Sequence, residues 1–294
     1  MSLVSVTGEE AWALVNYCTT ADVAALRDEQ ALYSLVLDEE GLLRGDLYVL
    51  CVEEGYYLLS ENLTPAAIIA CLQQGLEQAE ALDIQQAPVI SVLNEAGWGA
   101  VQLEGPYAWE VLAEIYGFDI IGLPYHEFMR TPEDLLLLRC GRHGEYAYLI
   151  IGEQRLLAAL WLKLLAIGEK FQLRPGGLDY QHIVRIENTC WDASGDMRHW
   201  RNPLELQLQW CIDYHKENFT GKRAVEAMAQ RGVRRRLTGI IPLDAGAVIA
   251  VGDKVMVEKE PVGQVIKSVY SPARGGVIAL AMIDAAWAYA DIAG

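Results

Sequence analysis

The sequence predicts an α+β fold made of two pseudo-symmetric ferredoxin-like units and a small C-terminal β-barrel. Three observations carry this expectation. Apolar β-type runs alternate with amphipathic helical stretches through most of the chain. A strand–glycine–helix signature occurs twice: Val6-Thr7-Gly8-Glu9-Glu10-Ala11-Trp12 is echoed by Leu103-Glu104-Gly105-Pro106-Tyr107-Ala108-Trp109, with Ala-Trp at the same place. From Leu237 onward, short β runs are separated by Gly and Pro turns, the pattern of a small all-β domain. The boundaries that follow are an α+β domain over 1–232, divided into units of about 1–97 and 98–232, and a barrel over 237–294.

The elements follow in order. Ser2 to Val6 reads as a strand, and Thr7 caps a helix over Gly8 to Asn16. Ala31 to Leu37 and the run after Gly41 form a hairpin around an acidic turn, and Gly55 to Ser60 is a further strand. Thr64 opens a helix whose apolar residues Ala67, Ile68, Cys71, Leu72 and Leu76 recur at helical spacing. A strand near Ala87 to Ile90 closes a β-α-β-β-α-β layout, the split β-α-β arrangement. The second cycle starts at Val101 to Leu103, continues through strands near Tyr125 to Met129, Leu135 to Arg139 and Ala147 to Ile151, and ends in a helix over Gln154 to Ile167. Arg231 to Arg236 reads as a linker, either a solvated hinge or a cationic patch for a carboxylate-bearing ligand.

Composition narrows the function classes. A net charge of −17 repels phosphates, which argues against nucleic-acid or anionic-membrane binding but leaves room for a small ligand held by local cations. The apolar stretch Leu156 to Ile167 is short and interrupted by Lys163, so no membrane span is expected, and the N-terminus lacks a signal-peptide plan. The 6 cysteines show no metal-ligand spacing and read as reduced thiols of a cytoplasmic protein. The 5 histidines are dispersed, so no zinc site is expected.

Asp46 stands out. It sits at the mouth of the apolar run Leu47-Tyr48-Val49-Leu50, where a carboxylate is costly to bury without a partner or a task. The hairpin brings it near Tyr33 on the neighbouring strand. On local context alone, Asp46 caps its own turn.

Gln30-Ala31-Leu32-Tyr33-Ser34 fits a G-x-A-x-Y-[ST] strand, Gly45-Asp46-Leu47 a [DC]-D-L turn, and Leu103-Glu104-Gly105-Pro106 an L-Q-G-P turn. With these motifs the chain as a whole resembles the folate-dependent T-protein (aminomethyltransferase) family of the glycine cleavage system. Gly144-Glu145 resembles the end of G-Y-T-G-E, and Arg174-Pro175-Gly176-Gly177-Leu178 with Val184-Arg185-Ile186-Glu187 forms the strongest block. Asn218-Phe219-Thr220-Gly221-Lys222-Arg223-Ala224 is similar to D-F-I-G-R-E-A. The chain reads as a divergent member shortened at both ends. The resemblance implies a central folate pocket, tetrahydrofolate as cofactor, a lipoyl carrier protein as partner, and Asp46 as the catalytic carboxylate beside the reactive nitrogens. It further implies Glu187 on the paired N–H donors of the pterin, Tyr33 and Ser60 in the same pocket, and Lys216 toward the glutamyl tail.

Three functions fit. The first is a tetrahydrofolate-dependent one-carbon transferase. The second is a non-catalytic folate-binding protein akin to paralogues that assist iron–sulfur enzyme assembly, whose K-G-C-Y-x-G-Q run is here Lys216 to Lys222 without a cysteine. The third is a partner-binding subunit that has lost the ligand.

Overall fold

Near-continuous apolar runs over short segments build strands that are buried on both faces of a sheet. In this computed structural model, residues 1–141, 143–191, 198–244 and 246–289 are described. The chain forms two compact units: Met1–Leu37 with Arg44–Pro175 and Cys211–Thr220, and Asp38–Leu43 with Gly176–Trp210 and Gly221–Gly294. Residues 176–210 belong to the same compact unit as the C-terminal sheet.

The first unit holds both repeats. The first runs β1 (Ser2–Thr7), α1 (Ala11–Cys18), β2 (Ala31–Leu37), β3 (Leu43–Val52), β4 (Gly55–Ser60), α2 (Pro65–Leu76) and β5 (Val89–Val92). Its sheet has the order β2-β3-β4-β1-β5, with β1 antiparallel to both β4 and β5. Setting β2 aside leaves the split β-α-β order. The expected β-α-β-β-α-β layout thus gains one strand, because both arms of the Tyr33 hairpin join the sheet. Thr64 caps α2 as expected: its side chain accepts from the Ala67 N–H, and Pro65 fills the first turn where no N–H partner is needed.

The second repeat runs β6 (Trp98–Glu104), α3 (Ala108–Tyr116), α4 (Asp119–Gly122), β7 (Phe128–Arg130), β8 (Leu136–Arg139), β9 (Ala147–Glu153) and α5 (Gln154–Gly168). Its order, β6-β9-β8-β7, matches β1-β4-β3-β2 strand for strand. The Ala-Trp echo was a true repeat, and β5 is the strand that the second copy lacks.

Parity along each strand sets the layering. Val4, Val6, Leu47, Val49 and Leu58 pack under α1 and α2, while Leu103, Leu137 and Ile150 pack under α3 and α5. The opposite faces meet: Leu3, Leu50, Val52 and Leu59 form one cluster with Phe128, Leu136, Leu138, Leu149 and Ile151. The result is a helix–sheet–sheet–helix stack. Each fully buried leucine in it contributes roughly 2 kcal/mol of transfer free energy.

In the second unit, α6 (Leu178–Glu187) and α7 (Lys222–Arg231) accompany β10 (Arg235–Ile240), β11 (Lys254–Val257), β12 (Glu260–Ser271) and β13 (Gly276–Asp284). The four strands form an antiparallel sheet in the order β10-β13-β12-β11, cored by Val262, Val265, Ala279, Ala281 and Ile283. Among the described residues no ladder closes it into a hydrogen-bonded ring. The expected Arg231–Arg236 linker is corrected: Arg231 ends α7 and Arg235 and Arg236 open β10, leaving only Gly232 to Arg234 between them. Arg235 pairs with Asp284 at 3.3 Å and lies over the Trp200 ring. Among the described residues, no helix is long and apolar enough to cross a membrane. All six cysteines are free thiols.

Candidate active site around Asp46

Asp46 lies near the start of β3 and is 3% exposed. Alternation puts it on the same face as Tyr48 and Leu50, the face directed at the partner sheet rather than at the helices. Its backbone is held on both sides. The N–H donates to Asn62 Oδ1 at 3.1 Å, and the carbonyl accepts from Ser60 Oγ at 2.6 Å. Ser60 Oγ also accepts the Leu63 N–H at 2.9 Å. These bonds replace the strand ladder where β4 ends, so the carboxylate sits on a fixed stretch of backbone at a point that would otherwise fray.

The residue before Asp46 makes this possible. A Cβ on Gly45 would lie 2.5 Å from Leu63 Cγ and 2.6 Å from Asn62 Oδ1. Glycine is what allows the Asn62 amide to reach the strand.

Tyr33 is where the hairpin placed it. Its ring packs against Tyr48 at 5.3 Å between centroids, two residues along the strand from Asp46 and on the same face. Tyr48 in turn meets the edge of His126 at 5.8 Å, and His126 stacks on Tyr125 at 4.0 Å. The Asp46 carboxylate therefore shares its face with a row of aromatic rings. Burial holds the His126 imidazole down to about 4, so it stays neutral through the physiological range. Tyr48, His126 and Asn62 were not singled out in the sequence. The Ser60-x-Asn62 turn directly after a strand was the available signal for Asn62.

Ser60 is beside Asp46, but alternation turns its side chain to the helix side with Leu58, and it meets Asp46 through the main chain. Lys216 is not part of this face. It is buried, and its Nζ donates to the carbonyls of Asn16 at 2.5 Å, Thr19 at 2.7 Å and Ala21 at 2.9 Å, which uses all three ammonium protons. In these positions Lys216 binds carbonyls left open where α1 ends. Glu187 belongs to the second unit. It is the last residue of α6, and its carboxylate accepts the Ser271 hydroxyl.

Among the described residues, the second repeat has no copy of this site. Val52 pairs with Gly55 across the first hairpin, and Cys140 bonds Ala147 at the matching place in the second. Counting back equally along β8 puts Asp134 where the first repeat has Asp46. Asp134 is a surface residue, paired with Arg130 at 2.6 Å with its side chain 75% exposed.

Comparison with known proteins agrees with this organisation. Residues 1–216 match the GCVT N-terminal domain and residues 235–292 the glycine cleavage T-protein C-terminal barrel domain. The aminomethyltransferase of Alkaliphilus oremlandii is 30% identical over 298 residues, covering 98% of this chain and 77% of its own length. That of Thermoanaerobacter pseudethanolicus is 25% identical over 292 residues, covering 98% and 77%. The crystal structure of glycine cleavage system aminomethyltransferase T from Bartonella henselae has the same fold, with a TM-score of 0.74 at 22% identity over 97% of this chain and 76% of that one.

Proposed function

Since the chain belongs to the glycine cleavage T-protein family, we propose that it is an aminomethyltransferase that transfers a one-carbon unit to tetrahydrofolate. The observation that carries this reading is the buried Asp46 carboxylate, backbone-locked on an aromatic face. Tetrahydrofolate, when bound, supplies the nucleophilic amine that captures the one-carbon unit. Asp46 stabilises the positive charge that develops on nitrogen during the transfer, and a carboxylate on a dry face does so more strongly than one in water. Tyr33 and Tyr48 offer ring faces on which a flat heterocycle stacks, and they keep water from the carboxylate. Asn62 and Ser60 fix the Asp46 main chain, so its orientation is set before the ligand arrives.

The same reading gives Glu187 the paired N–H donors of the pterin, a match to carboxylate geometry. It also gives a lipoyl carrier protein as the donor of the one-carbon unit. A non-catalytic folate-binding role is not favoured, because the relatives described above are named for the transferase and the buried carboxylate is retained.

Titration of purified protein with tetrahydrofolate, wild type beside Asp46→Ala, tests the proposal. Binding by both, with aminomethyl transfer confined to wild type, is the expected result. Wild type that binds no tetrahydrofolate overturns it.

A further inference from the structure

The two repeats differ most at one hairpin. In the first, β3 and β4 are joined by the tight turn Glu53–Glu54, and the Gly8 N–H reaches the Glu54 carbonyl at 3.4 Å. In the second, β8 ends at Arg139 and β9 starts only at Ala147, and the equivalent Gly105 N–H reaches the Tyr146 carbonyl at 2.9 Å. The longer turn carries His143, whose Nδ1 lies 2.6 Å from Glu104 Oε1, with both side chains 5% exposed. The other Glu104 oxygen accepts from Gln102 Nε2 at 2.9 Å. In the first repeat the position of Glu104 is held by Thr7, and the shorter turn has no counterpart of His143. This buried pair is an addition to the second repeat alone.

Its chemistry is specific. A carboxylate this buried requires a donor, so the imidazole presents Nδ1–H to Glu104. His143 Nε2 is buried and has no hydrogen-bond partner among the described residues. The turn it anchors is stitched to the corner before β7. Tyr125 Oη donates to the Gly141 carbonyl at 2.6 Å, and Arg139 Nη1 donates to the Leu123 carbonyl at 2.7 Å while its guanidinium covers the Tyr146 ring. That corner carries His126, stacked on Tyr125 and edge-on to Tyr48 of the Asp46 face.

We propose that Glu104 and His143 are positioning residues for the ligand face: by pinning the β8–β9 turn they hold Tyr125 and His126 against Tyr48, and so fix the aromatic row beside Asp46. The two residues stand where the family patterns quoted above have Gln in L-Q-G-P and Thr in G-Y-T-G-E. These two departures meet in one buried contact between carboxylate and imidazole.

The proposal rests on the tetrahydrofolate reading, and a double-mutant cycle tests the two separately. Tetrahydrofolate affinity and thermal unfolding are measured for wild type, E104Q, H143T, E104Q/H143T and Y125F. His143→Thr alone strands the Glu104 carboxylate and is expected to weaken binding about tenfold at a temperature where the variant is folded, whereas the double variant recovers most of it. The same change appears in KM for tetrahydrofolate with kcat held. Y125F weakens binding in the same direction and is non-additive with H143T. If H143T fails to fold, Y125F and E104Q/H143T decide the matter. Variants that lose melting temperature but bind as wild type overturn the positioning role alone. Wild type that binds no tetrahydrofolate overturns both readings.

Discussion

Glu29 and His126 occupy equivalent places in the two repeats, and each offers its carbonyl to the strand that follows the other. Each precedes the second strand of its repeat by two positions, and each has a left-handed backbone, with φ of 64° and 65°. The Phe128 N–H donates to the Glu29 carbonyl at 2.9 Å, and the Ala31 N–H donates to the His126 carbonyl at 2.7 Å. Between them Gln30 and Glu127 form an antiparallel bridge. The crossing behaves as a local two-fold axis that binds the two sheets edge to edge while their faces pack. Each corner must therefore keep its left-handed turn. Histidine tolerates this conformation, whereas a β-branched residue does not. His126→Val is expected to destabilise the fold by about 2 kcal/mol, and His126→Gly by much less, read from urea denaturation midpoints. Equal losses in the two variants would show that the side chain, not the backbone, is what matters there.

The same histidine gives the fold a pH dependence. Burial lowers its pKa from 6.5 to about 4 in the folded protein. For a base with a depressed folded pKa, the unfolded chain takes up the proton first. Its contribution is complete above about 6.5 and declines as pH falls toward about 4, to a total of roughly 2–3 kcal/mol. Denaturant titrations across pH 7 to 4 should show this slope, and His126→Gln should flatten it. An unchanged slope in the variant would assign acid lability to other groups.

Lys216 is expected to act on stability rather than on ligand affinity. Its three protons are committed to carbonyls at the end of α1, and charge-assisted bonds of this kind contribute about 1.5–3 kcal/mol each before desolvation is charged against them. Lys216→Met keeps the volume and strands three acceptors, so a loss of about 3 kcal/mol is expected in chemical denaturation. Tetrahydrofolate affinity measured well below the melting temperature should be nearly unchanged. A stable K216M protein with much weaker binding would restore the tail-contact role.

How far the sequence could be read follows the range of the forces involved. Strand alternation, the Thr64 cap and the Ala-Trp echo are local, and each was legible before the fold was seen. Asp46 and Tyr33 were legible as members of one hairpin because a hairpin is a local structure. Lys216 was not, because the carbonyls it binds at Asn16, Thr19 and Ala21 lie about 200 positions away in the chain and backbone acceptors leave no signature in side-chain pattern. Glu104 and His143 were each visible within a motif, yet only the folding of β6 against β9 makes them one buried pair.

Gly45 gives the sharpest test of preorganisation, since it has no side chain and carries no chemistry. A Cβ there would overlap Leu63 and the Asn62 amide oxygen, both at under 3 Å. Gly45→Ala must push Asn62 away from the Asp46 N–H, and Asn62→Ala removes the same bond without the clash. Both should lower kcat for aminomethyl transfer by one to two orders of magnitude, because the carboxylate loses its fixed orientation, whereas stability should fall only by about 1–2 kcal/mol. The two effects are separable by comparing kcat with the denaturation midpoint in one series. If Asn62→Ala leaves kcat intact, the strand holds Asp46 without the amide, and preorganisation must then come from Ser60 and the aromatic row alone.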